Sequence, residues 1–387
     1  MARNIVTGLD IGTSSIRVMV CEFKEHDEAP TVLALVKRST RGLRRGYIIN
    51  FDEALESLKE AIGDVERIAK IKVKKVLLGI GGITLESKIA EGSAQVSKAD
   101  LEITKNDVKR AVEDSENNLT DMANRHILHR LPISFKLDGK KVLGQPAGLK
   151  GSKLEVKTNF ITYSKLHLKD FVSLVEELGL IIDDIIASPL ASSITILTKL
   201  QKASGCVLAN IGSQTATIAV FEEGLPISVH TFPLGSTDIT NDIALGFKIP
   251  LEEAERVKRR ETDPAGAKKK LDEIIEARLS DIFEYIEVHL KKIGRSGLLP
   301  AGIVITGGGS NIQNVEEMAK DYFKLPARVA SPAKIQGQNN QTIDPSWSVV
   351  YGLCLYDYEY EDGEKSGSHN RGELWSRVVR WVKEIMP

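Results

Sequence analysis

The sequence predicts an α/β protein made of two similar halves, with an α+β module inserted between them and an amphipathic helix at the C-terminus. Three features predict this: two matching strand–turn–strand segments, a glycine-rich turn in the second half, and a change in hydrophobic periodicity after residue 372. The chain has 387 residues, enough for two to three domains at ~150 residues each.

Composition narrows the function classes. Hydrophobic residues make up 42% and charged residues 27%, which is typical of a folded globular chain. The 52 Lys and Arg residues nearly balance the 53 Asp and Glu residues, so binding of nucleic acid through bulk charge is disfavoured. The three cysteines lie far apart without metal-site spacing, as expected in a reducing cytosol. No apolar run approaches the ~20 residues of a membrane span, and we expect no signal peptide.

The two strand–turn–strand segments are residues 4–22 and 205–222. Ile11 and Gly12 of the first recur as Ile211 and Gly212 of the second, and each glycine is followed by short polar residues. Both segments are typical of β-hairpins with a tight turn. Such a turn lets backbone N–H groups converge, which favours phosphate oxygens. Two matching turns predict a duplicated domain that holds one polyphosphate across a cleft.

A third glycine-rich turn follows a short apolar strand. Residues 302–312 read Gly-Ile-Val-Ile-Thr-Gly-Gly-Gly-Ser-Asn-Ile, and we expect a helix to begin near Asn311. Three glycines would let the backbone approach a flat ligand, with a helix N-terminus close behind.

Together the three elements resemble the phosphate-1, phosphate-2 and adenosine motifs of the actin-like ATPase superfamily. The resemblance implies a duplicated actin-like (ribonuclease H-like) fold around a nucleotide cleft, with ATP and Mg²⁺ as ligands. Asp10 would order Mg²⁺ through water, and residues 254–258 match the family's adenosine-edge helix, although a solvated charged face is an alternative. The nucleotide-binding residues that the resemblance implies are Gly12, Thr13, Ser14, Ser15, Asn210, Gly212, Ser213, Gln214, Thr215, Glu255, Lys258, Gly307, Gly308, Gly309 and Ser310.

The segment between the two halves distinguishes members of this superfamily. Residues 83–96 alternate like a strand, Thr104 is a candidate helix N-cap, and residues 126–138 and 154–162 are two further strands. This order resembles the inserted subdomain of the bacterial cell-division FtsA family, and residues 188–193, 233–244 and 299–309 extend the resemblance. The pilus-assembly PilM family shares the insertion and remains an alternative.

The resemblance implies the following domains: 1–81 with 162–203 and 331–358 as the first core domain, 82–161 as the inserted subdomain, 204–247 with 295–330 as the second core domain, 248–294 as a helical subdomain, 359–372 as a flexible linker, and 373–387 as a membrane-targeting helix.

The last segment is strongly amphipathic. At ~100° per residue its apolar side chains share one arc, and basic side chains lie on the other side. A helix of this length is too short to cross a bilayer and suits its surface, where basic residues each add ~1 kcal/mol against anionic lipid. Docking on the protein's own core is the alternative. The predicted membrane-contacting residues are Leu374, Trp375, Arg377, Val378, Arg380, Trp381, Val382 and Ile385.

Two departures from the superfamily pattern bear on catalysis. Asn210 stands where hydrolytic relatives usually have Asp, and an amide cannot act as a general base. Ser188 precedes Pro189 where those relatives have Glu or Gln, and it is too short to position an attacking water. We therefore predict nucleotide binding with slow or negligible hydrolysis.

Family resemblance also implies partners. In the FtsA family the helical subdomain binds the tail peptide of the tubulin-like protein FtsZ, and Arg278 is the candidate contact for acidic side chains of that tail; a surface ion-pair network is the alternative. The resemblance further implies self-assembly into actin-like protofilaments, contacts of the inserted subdomain with other division proteins, and a place on the cytoplasmic face of the inner membrane at the division site. The competing readings are a soluble, peptide-binding PilM-like adaptor and a metabolic kinase of the same superfamily.

Overall fold

The computed structural model describes residues 4–24, 29–262, 266–332 and 343–361. In these ranges the strands are β1 (Asn4–Ile11), β2 (Ser15–Phe23), β3 (Thr31–Ser39), β4 (Leu43–Arg44), β5 (Tyr47–Ile48), β6 (Lys75–Ile80), β7 (Glu86–Gln95), β8 (Arg125–Leu137), β9 (Lys140–Val142), β10 (Lys153–Ser164), β11 (Ile181–Ala187), β12 (Cys206–Ile211), β13 (Ala216–Glu222), β14 (Leu225–Phe232), β15 (Ile303–Thr306) and β16 (Ala327–Val329).

The helices of the same ranges are α1 (Phe51–Ala69), α2 (Lys105–Asn117), α3 (Lys165–Glu176), α4 (Ser188–Ile196), α5 (Lys199–Ser204), α6 (Ser236–Phe247), α7 (Leu251–Lys258), α8 (Lys268–Lys292), α9 (Val315–Phe323) and α10 (Ser348–Glu361). The same ranges also contain two 3-10 turns, Gly308–Asn311 and Pro345–Trp347. None of the described helices combines the length and apolar character that crossing a bilayer requires.

Two sheets repeat one topology. The first has the strand order β3-β2-β1-β6-β11, and the second contains the order β14-β13-β12-β15-β16. In each, the first strand of the half pairs antiparallel with the strand that follows it and parallel with a later strand, β6 in one half and β15 in the other. This duplication confirms the predicted actin-like α/β fold.

The long helices of the two halves pack into different core clusters, and the larger cluster, around α1, also includes Cys206, Leu208 and Phe221 of the second half. In the first half, the apolar stripe of α1 at Ala54, Leu58, Ala61 and Val65 follows the helical period and is buried. The side chain of Asn50 caps that helix by accepting a hydrogen bond from the Glu53 backbone N–H. In the second half the buried stripe lies on α8 and includes Leu271, Ile275, Leu279, Ile282, Phe283, Ile286 and Leu290.

The inserted module is a four-stranded antiparallel sheet, β7-β10-β8-β9, with α2 packed on one face. Thr104 caps α2 in a reciprocal capping box with Asp107, as the sequence predicts. Ala111, Val112 and Phe135 belong to a small separate core. Along the chain the module interrupts the first half, between β6 and α3.

Its sheet nevertheless continues that of the second half. Glu86 on β7 pairs with His230 on β14, which joins the two sheets into one of nine strands. Beside this pair, the Val229 backbone N–H donates to Ser87 Oγ at 2.6 Å, and Asn159 Nδ2 donates to the Pro226 carbonyl at 2.8 Å.

Two local predictions need correction. The glycine-rich turn continues into the 3-10 turn Gly308–Asn311, and the helix begins only at Val315, so no α-helix starts at Asn311. Helix α10 extends to Glu361, three residues into the predicted linker 359–372. The rest of that linker and the predicted amphipathic helix, residues 373–387, lie outside the described residues.

Candidate functional site

A cavity of about 820 Å³ opens between the two halves. Both hairpin turns, the glycine-rich turn and one side of α7 line it, so the structure brings together elements that are up to three hundred residues apart. The predicted ligand-binding residues on its wall are Asp10, Gly12, Thr13, Ser14, Ser15, Asn210, Gly212, Ser213, Thr215, Glu255, Lys258, Gly307, Gly308 and Gly309.

Two predicted residues are absent from that wall. Ser310 is buried, and its hydroxyl donates to the Gly307 carbonyl at 2.7 Å, so it stabilises the glycine-rich turn from behind. The Gln214 side-chain oxygen accepts a hydrogen bond from the backbone N–H of Arg45 at 2.8 Å. Both residues therefore hold the backbone around the site and do not line the cavity.

The two hairpin turns share their geometry. The Gly12 N–H donates to the Ser15 carbonyl at 3.1 Å, and the Gly212 N–H donates to the Thr215 carbonyl at 2.8 Å. A Cβ placed on either glycine would lie 2.9 Å from that same carbonyl oxygen. The backbone closes so tightly that only glycine fits without movement.

The glycine-rich turn packs against the end of β12. Gly307 has a φ of +89°, and a Cβ there would lie 2.2 Å from the side-chain oxygen of Asn210. Gly308, by contrast, has open space where its Cβ would be. The first glycine is required by the backbone, and the second leaves room on the cavity side.

A charged row crosses the first sheet at the cavity floor. Asp10 on β1 faces Arg17 on β2, and Arg17 faces Lys37 on β3. Burial raises the pKa of Asp10 to about 6, and the nearby Arg17 charge offsets part of that rise. Burial also lowers the pKa of Arg17, against the opposing effects of Asp10 and Asp344.

Arg17 Nε is completely buried and has no hydrogen-bond partner. The Arg17 guanidinium lies 6.0 Å from the ring of Trp347. Arg17 therefore places a largely buried cation, with an unsatisfied Nε–H, at the cavity floor.

The equivalent row of the second sheet is neutral. Asn210 on β12 faces Thr217 on β13, and Thr217 faces Thr231 on β14. The hydroxyls of the two threonines are 3.1 Å apart and hydrogen-bonded. The positions match those of the first row, but no charge is present.

The side wall of the cavity is a hydrogen-bonded network between α6 and α7. Lys258 Nζ donates to Glu255, Thr240 and the Ser236 carbonyl at 2.6, 2.8 and 3.1 Å. Burial alone would raise the pKa of Glu255, but hydrogen bonds from Lys258 and Thr240 hold it below its ordinary value. The side chain of Lys258 is 8% exposed, which excludes the alternative prediction of a solvated charged face at this position.

The family comparisons agree with this architecture. The protein-family model described as "Cell division protein FtsA" matches residues 207–352, and the family model described as "SHS2 domain inserted in FTSA" matches residues 82–162. The cell-division protein FtsA of Bacillus subtilis is 32% identical over 91% of this chain and 83% of its own length. FtsA of Pseudomonas aeruginosa is 28% identical over 98% of this chain and 97% of its own.

The chain belongs to the FtsA family of cell-division proteins. Solved structures support its fold. A PilM–PilN type IV pilus biogenesis complex has a TM-score of 0.66 at 18% identity, covering 90% of this chain and 97% of that one. MreB5 of Spiroplasma citri bound to ADP has a TM-score of 0.54 at 13% identity, covering 94% and 99%. At sequence identities of 18% and 13%, these similarities support the fold alone.

Several residues that line the cavity were not predicted from the sequence. Arg17, Lys37 and Asp344 line the cavity, together with the glycines at 46, 81 and 82. Arg17 could have been found, because a charged residue interrupts the otherwise apolar run of residues 16–21. Asp344 had no local signal, since its role depends on the 3-10 turn that it caps by accepting from the Ser346 N–H at 2.7 Å.

Arg278, the predicted partner contact, lies on α8, and its guanidinium is already paired. Nε and Nη2 donate to the two carboxylate oxygens of Asp242 on α6 at 2.6 and 3.1 Å, and Nη1 contacts Asp281. The hydrogen bond with Asp242 raises the pKa of Arg278. The side chain is 27% exposed. The predicted membrane-contacting residues, from Leu374 to Ile385, lie outside the described residues.

Proposed function

We propose that this FtsA-family protein binds ATP in the cavity between its halves and links division filaments to the membrane. The main observation in favour of ATP binding is the pair of matching turns, at Gly12 and Gly212, which open on one cavity. A volume of about 820 Å³ is within the ~300–1,000 Å³ of small-molecule sites. Short hydroxyl side chains beside both turns supply further donors for phosphate oxygens.

The residues at the cavity floor fit a bound Mg²⁺. Magnesium prefers oxygen ligands and keeps several waters, so a carboxylate such as Asp10 would hold it through water. The ion would supply positive charge to the phosphates. Asp10 has a pKa of about 6, so it is mostly ionised at neutral pH and available for this role.

Slow or negligible hydrolysis is part of the proposal. Asn210 lies at the position equivalent to Asp10 and provides no carboxylate, and Ser188 lines the cavity with a short hydroxyl. Neither can take a proton from an attacking water as a carboxylate would. A purified chain that releases phosphate from ATP at many turnovers per minute contradicts this part.

Membrane attachment rests on the amphipathic character of residues 373–387. Two tryptophans and three basic residues at 377, 380 and 383 suit an anionic bilayer surface. The proposal places the protein on the cytoplasmic face of the inner membrane at the division site, where it self-assembles and binds the FtsZ tail. In that contact Arg278 would exchange Asp242 for an acidic side chain of the tail.

Co-sedimentation with anionic liposomes tests the proposal. We expect the full chain to pellet and a chain that ends at Gly363 to stay in the supernatant, with and without ATP. A full chain carrying Trp375→Glu and Trp381→Glu is the matched control, because it keeps the length and loses the apolar anchors. If the full chain also stays in the supernatant, the membrane proposal is wrong and a soluble PilM-like adaptor is favoured.

A further inference from the structure

The first observation is a hydrogen bond across the cleft. Gln214 is in the turn of the second half, and Arg45 is in the first half, in the hairpin formed by β4 and β5. The backbone N–H of Arg45 can only donate, so the accepting atom is the side-chain oxygen of Gln214, 2.8 Å away. The contact joins residues 169 apart in sequence.

The second observation is that the same hairpin turn also binds the turn of the first half. The next backbone N–H, that of Gly46, donates to the hydroxyl of Thr13 at 3.0 Å. Arg45 and Gly46 have φ values of 50° and 77°, so two consecutive residues are in the left-handed conformation. This is the backbone of a two-residue type I′ turn, and it presents two neighbouring N–H groups to the two phosphate loops.

The turn is held rigidly from below. A Cβ on Gly46 would lie 2.5 Å from the Cα of Gly82, so the two backbones are in direct contact. The hydroxyl of Tyr163 donates to the Gly81 carbonyl at 3.0 Å and lies 3.4 Å from the Gly46 carbonyl. The bond to Thr13 and the close contact with the backbone that directly follows β6 tie this turn to the first half, so it cannot follow the second half if that half moves away. Opening the cleft therefore has to break the bond between Gln214 and Arg45.

We propose that the β4–β5 hairpin is a clasp: Gln214 closes the cleft by binding the Arg45 N–H, while Thr13 anchors the same turn to the first half. Gln214 thus acts as a positioning residue, and the clasp sets how long a nucleotide stays bound. The clasp adds to the proposed ATP site a contact that controls release, and only the nucleotide-release measurement depends on that proposed function. The clasp itself is a property of the chain without nucleotide.

The test measures cleft opening and nucleotide release in the full chain. Spin labels on Lys59→Cys and Glu252→Cys report the separation of the halves; both positions are exposed, whereas the three native cysteines are buried. Release of a fluorescent ATP analogue is followed by stopped flow. We expect Gln214→Leu to lengthen the label separation without nucleotide and to speed release about three- to tenfold, with association unchanged, because one neutral hydrogen bond is lost.

Two matched variants separate the bond from other effects. Gln214→Glu keeps an accepting oxygen, so its label separation should match that of the unaltered chain. Arg44→Gln removes a charge from the same hairpin without touching the bond, and its release rate should not change. Unchanged separation in Gln214→Leu, or equal changes in Arg44→Gln, overturns the clasp. If the unaltered chain binds no nucleotide, the proposed function fails and the label separation alone decides the clasp.

Discussion

The turns of the two halves have the same backbone and different chemistry. Each is closed by one glycine N–H bonded to the carbonyl three residues later, and each lies beside a row of three side chains across three strands. In the first half that row is Asp10, Arg17 and Lys37; in the second it is Asn210, Thr217 and Thr231. The two halves share the backbone geometry of their turns, while the row beside the turn is charged only in the first half.

The charged row should dominate stability. Arg17→Met leaves Asp10 without its neighbouring cation, and we expect a loss of ~3 kcal/mol in the free energy of unfolding at pH 7.5. Because the pKa of Asp10 lies above its ordinary value, the folded state takes up a proton below about pH 6, and stability falls as the pH rises through that region. Without Arg17 this pKa rises further, so the loss should be smaller at pH 5.

Urea unfolding of both chains at pH 5 and pH 7.5 measures this difference. Lys37→Met is the matched control, since it removes another cation of the same row that does not face Asp10 directly. An equal loss at both pH values would show that Arg17 contributes packing rather than charge.

Because the two turns share their backbone geometry, equivalent glycine substitutions in them should weaken ATP binding equally. Gly12→Ala and Gly212→Ala each place a Cβ 2.9 Å from a backbone oxygen, and we expect each to lose ~2 kcal/mol of ATP-binding free energy as the turn distorts. Titration calorimetry measures both. Gly63→Ala is the control, because nothing lies within 4 Å of its Cβ position. A tenfold difference between the two turn variants would mean that only one loop binds phosphate.

The neutral row should show the smallest effect. Thr217→Val removes the hydrogen bond to Thr231 and leaves that hydroxyl buried, which costs ~1 kcal/mol of unfolding free energy. Neither threonine titrates, so the loss should be the same at pH 5 and pH 7.5. A pH-dependent loss measured by the same urea series would contradict the conclusion that the row of the second half is neutral.

The parts of the site that the sequence predicts are those set by local backbone chemistry. Gly12, Gly212 and Gly307 are recognisable because tight turns demand glycine; in the fold outside the site, Thr104 is recognisable because a helix N-terminus demands an acceptor. Arg17 and Lys37 become part of the site only through strand pairing, and Gln214 turns from the cavity because a hairpin distant in sequence offers an N–H. Such contacts depend on tertiary register, which neither periodicity nor spacing encodes.

The join between Glu86 and His230 also has a consequence for biosynthesis. Strand β7 is made early and its partner β10 ends at Ser164, whereas the strand on its other side, β14, begins only at Leu225. Until β14 has been made, the edge of β7 at Glu86 is unpaired on the growing chain. Such edges invite pairing with other chains, and the charged side chains of Lys88 and Glu91 on this strand oppose it during that interval.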